Sequence, residues 1–147
     1  MKPLVHSTRG SEWNRWDPHI HTPGTILNDQ FSKHAADSTQ DPWEEFIARV
    51  DAADPPVRAL GVTDYYGIEG YKKTVAHKKS GRLSGVLFIF PNVEVRLNVG
   101  TVSGPGVNLH ILFDPSQPDH TEQIEKFLAR LVFTYKGEEY RCETKDL

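Results

Sequence analysis

The chain has 147 residues with a formal net charge of −3, and its length suits a single domain. The negative balance gives no basic surface of the kind that nucleic-acid-binding modules carry, although bound cations would supply positive charge to a nuclease. No apolar run reaches the ~20 residues that a membrane-spanning helix needs, and residues 1–10 lack the apolar segment of a signal peptide. We therefore expect a cytoplasmic protein with no membrane partner. The single cysteine, Cys142, excludes an internal disulfide and a CxxC zinc site.

The first predicted elements are a strand and a helix joined by a long polar segment. The strand ends at the motif His19-x-His21, and the polar segment covers residues 22–40. Asp41 then predicts the N-cap of a helix, because Pro42 follows at the position where its missing N–H is not needed. A connection of this length inside a domain is typical of a functional loop.

Strands and helices alternate along the rest of the chain. We predict strands over residues 57–63, 86–90, 92–97 and 107–113, helices over 68–79 and from Asp119 or Thr121, and a hairpin over 133–142 that turns at Lys136-Gly137. Some of these strands are apolar throughout, which is typical of strands covered on both faces. The order therefore predicts an α/β fold with a largely parallel sheet or barrel.

The histidine pair His19 and His21 is the first candidate site. Residues two apart in an extended segment point to the same side, so the motif presents two imidazoles to one point, as a metal ion requires. Asp17, in the same segment, is placed to orient a ligand as its outer partner. The alternative is a pair of histidines exposed on a loop.

Three later segments each carry another metal-capable side chain. Asp64 follows the first apolar strand, Glu94 lies in an alternating strand, and His110 lies in mid-strand. Side chains at the ends of successive strands are the usual source of active-site groups in barrels. Each residue also has an alternative interpretation. Asp64 would cap the turn that precedes Ile68, and His110 would be a hydrogen-bonded core residue. Glu94 would face water together with Arg96, or form an ion pair with it.

Taken together, these motifs resemble the PHP (polymerase and histidinol phosphatase) superfamily. The match consists of Asp17-x-His19-x-His21-Thr22, Gly61-Val62-Thr63-Asp64, Val93-Glu94-Val95 and Asn108-Leu109-His110-Ile111-Leu112, and it spans about residues 13–114. The Tyr65-Tyr66 pair and the trailing hairpin are similar to the PHP domain that TrlF-type proteins fuse to an AAA-like or SMC-like ATPase.

The resemblance implies a distorted (β/α)7 barrel that hydrolyses phosphoesters, with nucleic-acid phosphodiesters as one substrate class. It also implies two or three bound metal ions, commonly zinc, manganese or iron. His19 and His21 would bind the first ion, and Glu94 would bridge it to a second ion bound by His110. In such a mechanism Asp64 would orient the attacking water or accept its proton. Arg96 lies two residues from Glu94 and would contact the phosphate or pair with Glu94, and we favour the ion pair.

Three departures separate the chain from the family pattern. Tyr65 replaces the His of the family's Thr-Asp-His motif, Leu27 replaces a further ligand His, and the final Asp-x-His is not in the chain. Both substituted positions serve the family's third ion, so we expect a two-ion site. We expect residues 1–147 to be the N-terminal part of a PHP-like domain, with residues 115–147 leading to a missing C-terminal part and an ATPase region. The rival interpretation is a degenerate, non-catalytic scaffold that docks or regulates such an ATPase.

Overall fold

A computed structural model describes residues 13–25, 27, 29–31, 41–97, 104 and 106–142 of the chain. These residues form the strands β1 (Arg15–His21), β2 (Val57–Tyr65), β3 (Phe88–Leu97), β4 (Val107–Leu112), β5 (Val132–Tyr135) and β6 (Glu138–Arg141). The helices are α1 (Pro42–Asp51), α2 (Glu69–Lys79) and α3 (His120–Leu128). None of these helices has the length and apolar character needed to cross a membrane. The predicted polar segment over residues 22–40 lies in large part outside the described residues.

Strands β1 to β4 form one curled sheet in the order β1-β2-β3-β4, and the fold is mixed α/β. Strands β1, β2 and β3 are parallel, because α1 and α2 return the chain between them, whereas β4 is antiparallel to β3. The prediction of an α/β fold with a largely parallel sheet is confirmed at this level. The strands predicted over residues 86–90 and 92–97 are one continuous strand. Pro91 lacks an N–H, but its carbonyl still accepts a hydrogen bond from the amide of Phe113 at 3.0 Å.

The two faces of the sheet differ in chemistry. Leu60, Val62 and Val93 are fully buried and belong to the same apolar cluster as the inward side chains of α1. Side chains alternate along a strand, so Thr63 and Glu94 point to the opposite face. Burial of the apolar face against the helices provides the main driving force for folding. The polar face is the one that carries the candidate site.

Helix α1 begins at the predicted cap. Oδ1 of Asp41 accepts a hydrogen bond from the backbone N–H of Trp43 at 2.9 Å, and Pro42 occupies the first helical position. The buried side chains of α1 follow helical spacing: Trp43, Phe46, Ile47 and Val50. The position of the cap therefore determines which residues of α1 face the sheet.

Strands β5 and β6 form a two-stranded hairpin of their own. The hairpin turns at Lys136 and Gly137, whose φ angles of +53° and +85° are those of a tight two-residue turn. The predicted hairpin and its turn are confirmed. Cys142 follows β6 and is buried in the apolar cluster.

Candidate metal centre

A bulge in β1 sets the direction of the histidine pair. The register between β1 and β2 shifts between Asp17 and Ile20, so that Pro18 and His19 together lie opposite the single residue Gly61. A Cβ atom on Gly61 would lie 2.2 Å from the carbonyl oxygen of Pro18, so this approach requires glycine. Bulges of this kind re-aim side chains and are frequent next to active sites.

Three potential ligand atoms meet beside the bulge. Nε2 of His19 lies 3.0 Å from Nε2 of His21, and Oε2 of Glu94 lies 3.5 Å from the first nitrogen and 3.6 Å from the second. A point equidistant from these three atoms lies about 2 Å from each, which is the length of a zinc–nitrogen bond. The triangle therefore has the size that a tetrahedral ion requires of three ligands, with the fourth position open.

Glu94 is the group in this triangle that most needs a partner. The residue is 1% exposed, and its Oε2 has no hydrogen-bond partner among the described residues. Its Oε1 accepts a hydrogen bond from the amide of Asn108. A buried carboxylate oxygen without a partner is strongly unfavourable unless a cation offsets its desolvation. The interpretation in which Glu94 faces water does not describe this arrangement.

His21 is held between the backbone of Thr63 at its Nδ1 and the ring of His19 at its Nε2. Its Nδ1 lies 3.1 Å from the carbonyl oxygen of Thr63. Because a carbonyl oxygen only accepts, Nδ1 carries the proton and Nε2 keeps its lone pair. The pKa of His21 is lowered, first by burial and second by the neighbouring His19. A neutral imidazole whose second nitrogen donates to the protein is the usual form of a metal ligand.

Asn92 orients His110 in the same way. The amide nitrogen of Asn92 donates to the carbonyl oxygen of Pro18 at 2.9 Å, so its Oδ1 is the atom that faces Nδ1 of His110 at 3.1 Å. Nδ1 of His110 is therefore the donor to Asn92, which leaves Nε2 as the ring atom available to a metal ion. His19, Glu94 and His110 each offer one ligand atom, all within 4.8 Å of one another, and this group could hold a metal ion.

Asn92, Asn108 and Thr63 orient the ligands, but the sequence motifs do not predict them as site residues. A signal exists for the two asparagines, because each lies two residues from Glu94 or His110 and so shares a strand face with it. The antiparallel register of β3 and β4 places Glu94 opposite His110. The carbonyl group of Thr63 belongs to the backbone, so no residue pattern could reveal its role.

Asp64 points away from these ligands. Its neighbour Tyr65 faces His21, so Asp64 lies on the other face of β2. There its Oδ2 accepts a hydrogen bond from the backbone N–H of Tyr71, at the start of α2, at 3.1 Å. Burial raises the pKa of Asp64 to about 6, against the opposing effect of hydrogen bonds from the backbone of Tyr71 and Gly70. These contacts hold Asp64 against the first turn of α2 rather than the turn before Ile68, on the face opposite to the ligands.

Asp17 and Arg96 lie at the border of the proposed group of metal ligands. Oδ1 of Asp17 is 3.4 Å from the backbone nitrogen of His19, a long hydrogen bond to the main chain rather than to the imidazole. Arg96 does not pair with Glu94, whose Oε2 lies instead 3.5 and 3.6 Å from the Nε2 atoms of the two histidines. Its guanidinium lies instead over the ring of Tyr65, 5.3 Å from the centroid.

Two cavities border this part of the molecule. A cavity of about 340 Å³ is lined by Asp17, His19 and His21, and a larger one of about 730 Å³ is lined by Asp64 and Tyr65. Both lie in the size range of about 300–1,000 Å³ that is typical of small-molecule sites. The larger cavity extends among the helices, and the smaller one extends toward Phe46 and Val50 of α1; the lining of neither includes Glu94 or His110.

Comparison with protein-family models, with curated proteins and with solved structures finds no match to this chain. The site is therefore defined by its own geometry. His19, His21 and the buried carboxylate of Glu94 converge on one point of the polar sheet face, and His110 lies beside them.

Proposed function

We propose that this chain is part of a metal-dependent phosphoesterase whose ligands are His19, His21, Glu94 and His110. The observation that carries the proposal is the buried Oε2 of Glu94, which has imidazole nitrogens at 3.5 and 3.6 Å and no hydrogen-bond partner among the described residues. Imidazole and carboxylate ligands together suit zinc, manganese and iron. The resemblance to the PHP superfamily supports the same chemistry, and it supports a PHP-type barrel of which the curled sheet would be one part.

The donor set fits a catalytic rather than a purely structural metal site. His19, His21 and Glu94 would hold one ion, because two histidines and a glutamate leave a fourth position for water or substrate. Glu94 and His110 would hold a second. When bound, two such ions lower the pKa of a coordinated water and neutralise charge on phosphate oxygens.

The surrounding residues prepare the ligands for binding. Thr63 and Asn92 accept hydrogen bonds from Nδ1 of His21 and His110, so that Nε2 of each ring is the atom that would bind an ion. Loss of such an outer partner typically lowers metal affinity or activity by about 10- to 100-fold. Asn108 occupies one carboxylate oxygen of the glutamate and leaves the other available.

Metal loading combined with hydrolysis tests the proposal. The longest natural form of the protein is expected to bind about two equivalents of Zn²⁺ or Mn²⁺ and to hydrolyse bis(p-nitrophenyl) phosphate. The double variant His19→Ala/His21→Ala should lose both properties. The variant His77→Ala removes an imidazole that stacks on Trp43 outside the site, and it should keep both. Hydrolysis that persists in the double variant would reject the assignment of these ligands.

The second candidate is a scaffold that binds metal without hydrolysing a substrate. The observation that favours it is Tyr65, which stands where the family has a histidine and stacks on His21 with ring centroids 5.2 Å apart. Metal would then bind and stabilise the fold, while no phosphoester would be hydrolysed. Association with an AAA-like or SMC-like ATPase, and a nucleic-acid substrate, rest on the TrlF-type resemblance and stay predictions. A Walker-type phosphate loop in a longer natural form of the protein would support them.

A further inference from the structure

We infer that Arg96, held against the ring of Tyr65, forms a subsite for the phosphoryl group of the substrate. This inference rests on the proposed phosphoesterase function. The guanidinium carbon of Arg96 lies 5.3 Å from the ring centroid of Tyr65, and that ring stacks on His21 with planes 8° from parallel. A single aromatic side chain therefore contacts both a candidate metal ligand and a cationic group.

The strands place Arg96 on the side of the sheet where the ligands lie. Tyr65 pairs with Glu94 in the parallel register of β2 and β3. Arg96 follows Glu94 by two residues in β3, so both side chains point to the same face. The end of β3 is held in place because the backbone N–H of Arg96 donates to the hydroxyl group of Tyr66 at 3.1 Å.

The guanidinium group is available to a ligand. Arg96 is exposed, and the ion pairs of the described part of the chain do not include it. Stacking on an aromatic ring engages the face of a guanidinium group and leaves its N–H donors free in the plane. The stack also restricts the orientation of the group, so less conformational freedom is lost when it binds two oxygens in a bidentate manner.

The charge of the site favours a phosphoryl group over other ligands. His19 and His21 are neutral as metal ligands, and Glu94 contributes one negative charge. With the two proposed divalent ions bound, the site would keep a net positive charge, and Arg96 adds a further one. An anionic phosphoryl group, whose oxygens match the guanidinium fork, is therefore the ligand that this charge favours.

Phosphate titration provides a test that does not depend on catalytic activity. Inorganic phosphate is titrated calorimetrically into the zinc-loaded chain, and zinc content is measured on the same samples. We expect Arg96→Ala to weaken phosphate binding by roughly 10- to 100-fold at unchanged zinc content. Arg96→Lys keeps the charge but not the fork, and it should lose less. Arg130→Ala removes an exposed arginine just beyond α3 and is the matched control, with unchanged phosphate affinity.

A second pair of variants tests the positioning role of Tyr65. Tyr65→Leu removes the ring and should weaken phosphate binding by roughly two- to fivefold. Tyr65→Phe keeps the ring and should restore an affinity close to that of the unaltered chain. Because the ring of Tyr65 also stacks on His21, zinc content is measured on both variants, and weaker phosphate binding of Tyr65→Leu at unchanged zinc content reports the stacking of Arg96.

The outcomes separate this inference from the function on which it rests. Equal phosphate affinity in Arg96→Ala and the unaltered chain, with zinc bound in both, would overturn the subsite and leave the metal site intact. Loss of zinc together with phosphate in Arg96→Ala would also overturn it, because Arg96 would then support the fold. Failure of the unaltered chain to bind zinc would refute the proposed function and the subsite together.

Discussion

Nε2 of His19 lies 3.5 Å from Oε2 of Glu94, although β2 separates their two strands in the sheet. Strands that are two apart in a flat sheet are roughly 9–10 Å apart, so neither side chain would approach the other without help. The curl of the sheet brings the side chains of β1 and β3 closer together. The rest comes from Gly61 of β2, which has no side chain and admits the bulge at Pro18.

Replacement of the buried carboxylate should change stability and metal binding in opposite directions. We expect Glu94→Gln to raise the free energy of unfolding of the metal-free chain by about 1–3 kcal/mol, because an unpartnered buried charge is removed. The same variant should lose most of its zinc affinity, since the carboxylate ligand is gone. Chemical denaturation and zinc titration measure the two effects. The control Glu122→Gln alters an exposed ion pair with Lys126 and should change neither stability nor zinc affinity. A metal-free Glu94→Gln variant that is less stable than the unaltered chain would contradict the view that the buried carboxylate is unfavourable.

A methyl group at position 61 should disrupt the site by displacing the backbone of β1. We expect Gly61→Ala to destabilise the chain by about 1–3 kcal/mol, because the added Cβ overlaps the carbonyl oxygen of Pro18 and forces β1 to shift. Zinc binding should weaken as His19 moves with β1. Gly67→Ala is the control, since its Cβ would meet only the carbonyl oxygen of Tyr65 at 3.8 Å. Thermal unfolding and zinc titration check both variants, and equal behaviour of the two would show that the bulge does not need glycine.

Loss of the Asn92 side chain should weaken metal binding, although Asn92 is not itself a proposed ligand. We expect Asn92→Ala to lower zinc affinity by about 10- to 100-fold, because His110 loses the acceptor that fixes its ring. The carbonyl oxygen of Pro18 loses its donor at the same time, which should destabilise the fold by about 1–3 kcal/mol. Gln123→Ala removes an amide that bonds to Asp119 on α3 and should leave zinc affinity unchanged. Unchanged zinc affinity in Asn92→Ala would remove His110 from the site.

The buried carboxyl group of Asp64 should give the fold a recognisable pH dependence. Its pKa is raised by burial from 3.8 to about 6, so the folded state retains a proton that the unfolded state releases. The stabilisation is complete below the unfolded pKa and is lost as the pH rises through about 6. Between about pH 4 and about pH 7, we expect the unaltered chain to lose roughly 1–3 kcal/mol relative to Asp64→Asn, which does not titrate.

Denaturant unfolding followed by tryptophan fluorescence at several pH values checks this difference. Asp51→Asn, at the exposed end of α1, is the control and should follow the unaltered chain. A parallel pH profile for Asp64→Asn and the unaltered chain would mean that Asp64 is not the group responsible.

Local features of this protein are readable from the amino-acid sequence alone. The cap at Asp41 and the turn at Lys136-Gly137 depend only on neighbouring residues, and both are found where the sequence predicts them. The pairing of His19 with His21 is local as well, because strand periodicity puts both on one side. In β3 the alternation around Glu94 also separates the polar face from the apolar one.

Contacts across the sheet were decided by the tertiary structure. Strand β2 is buried on both faces, so its pattern does not reveal that Asp64 turns toward α2 while Tyr65 turns toward His21. The same limit applies to Arg96, for which the sequence offers Glu94 as a partner but the fold supplies the ring of Tyr65. Periodicity fixes which residues share a face, whereas the curl, the bulge and the strand register fix which of them touch.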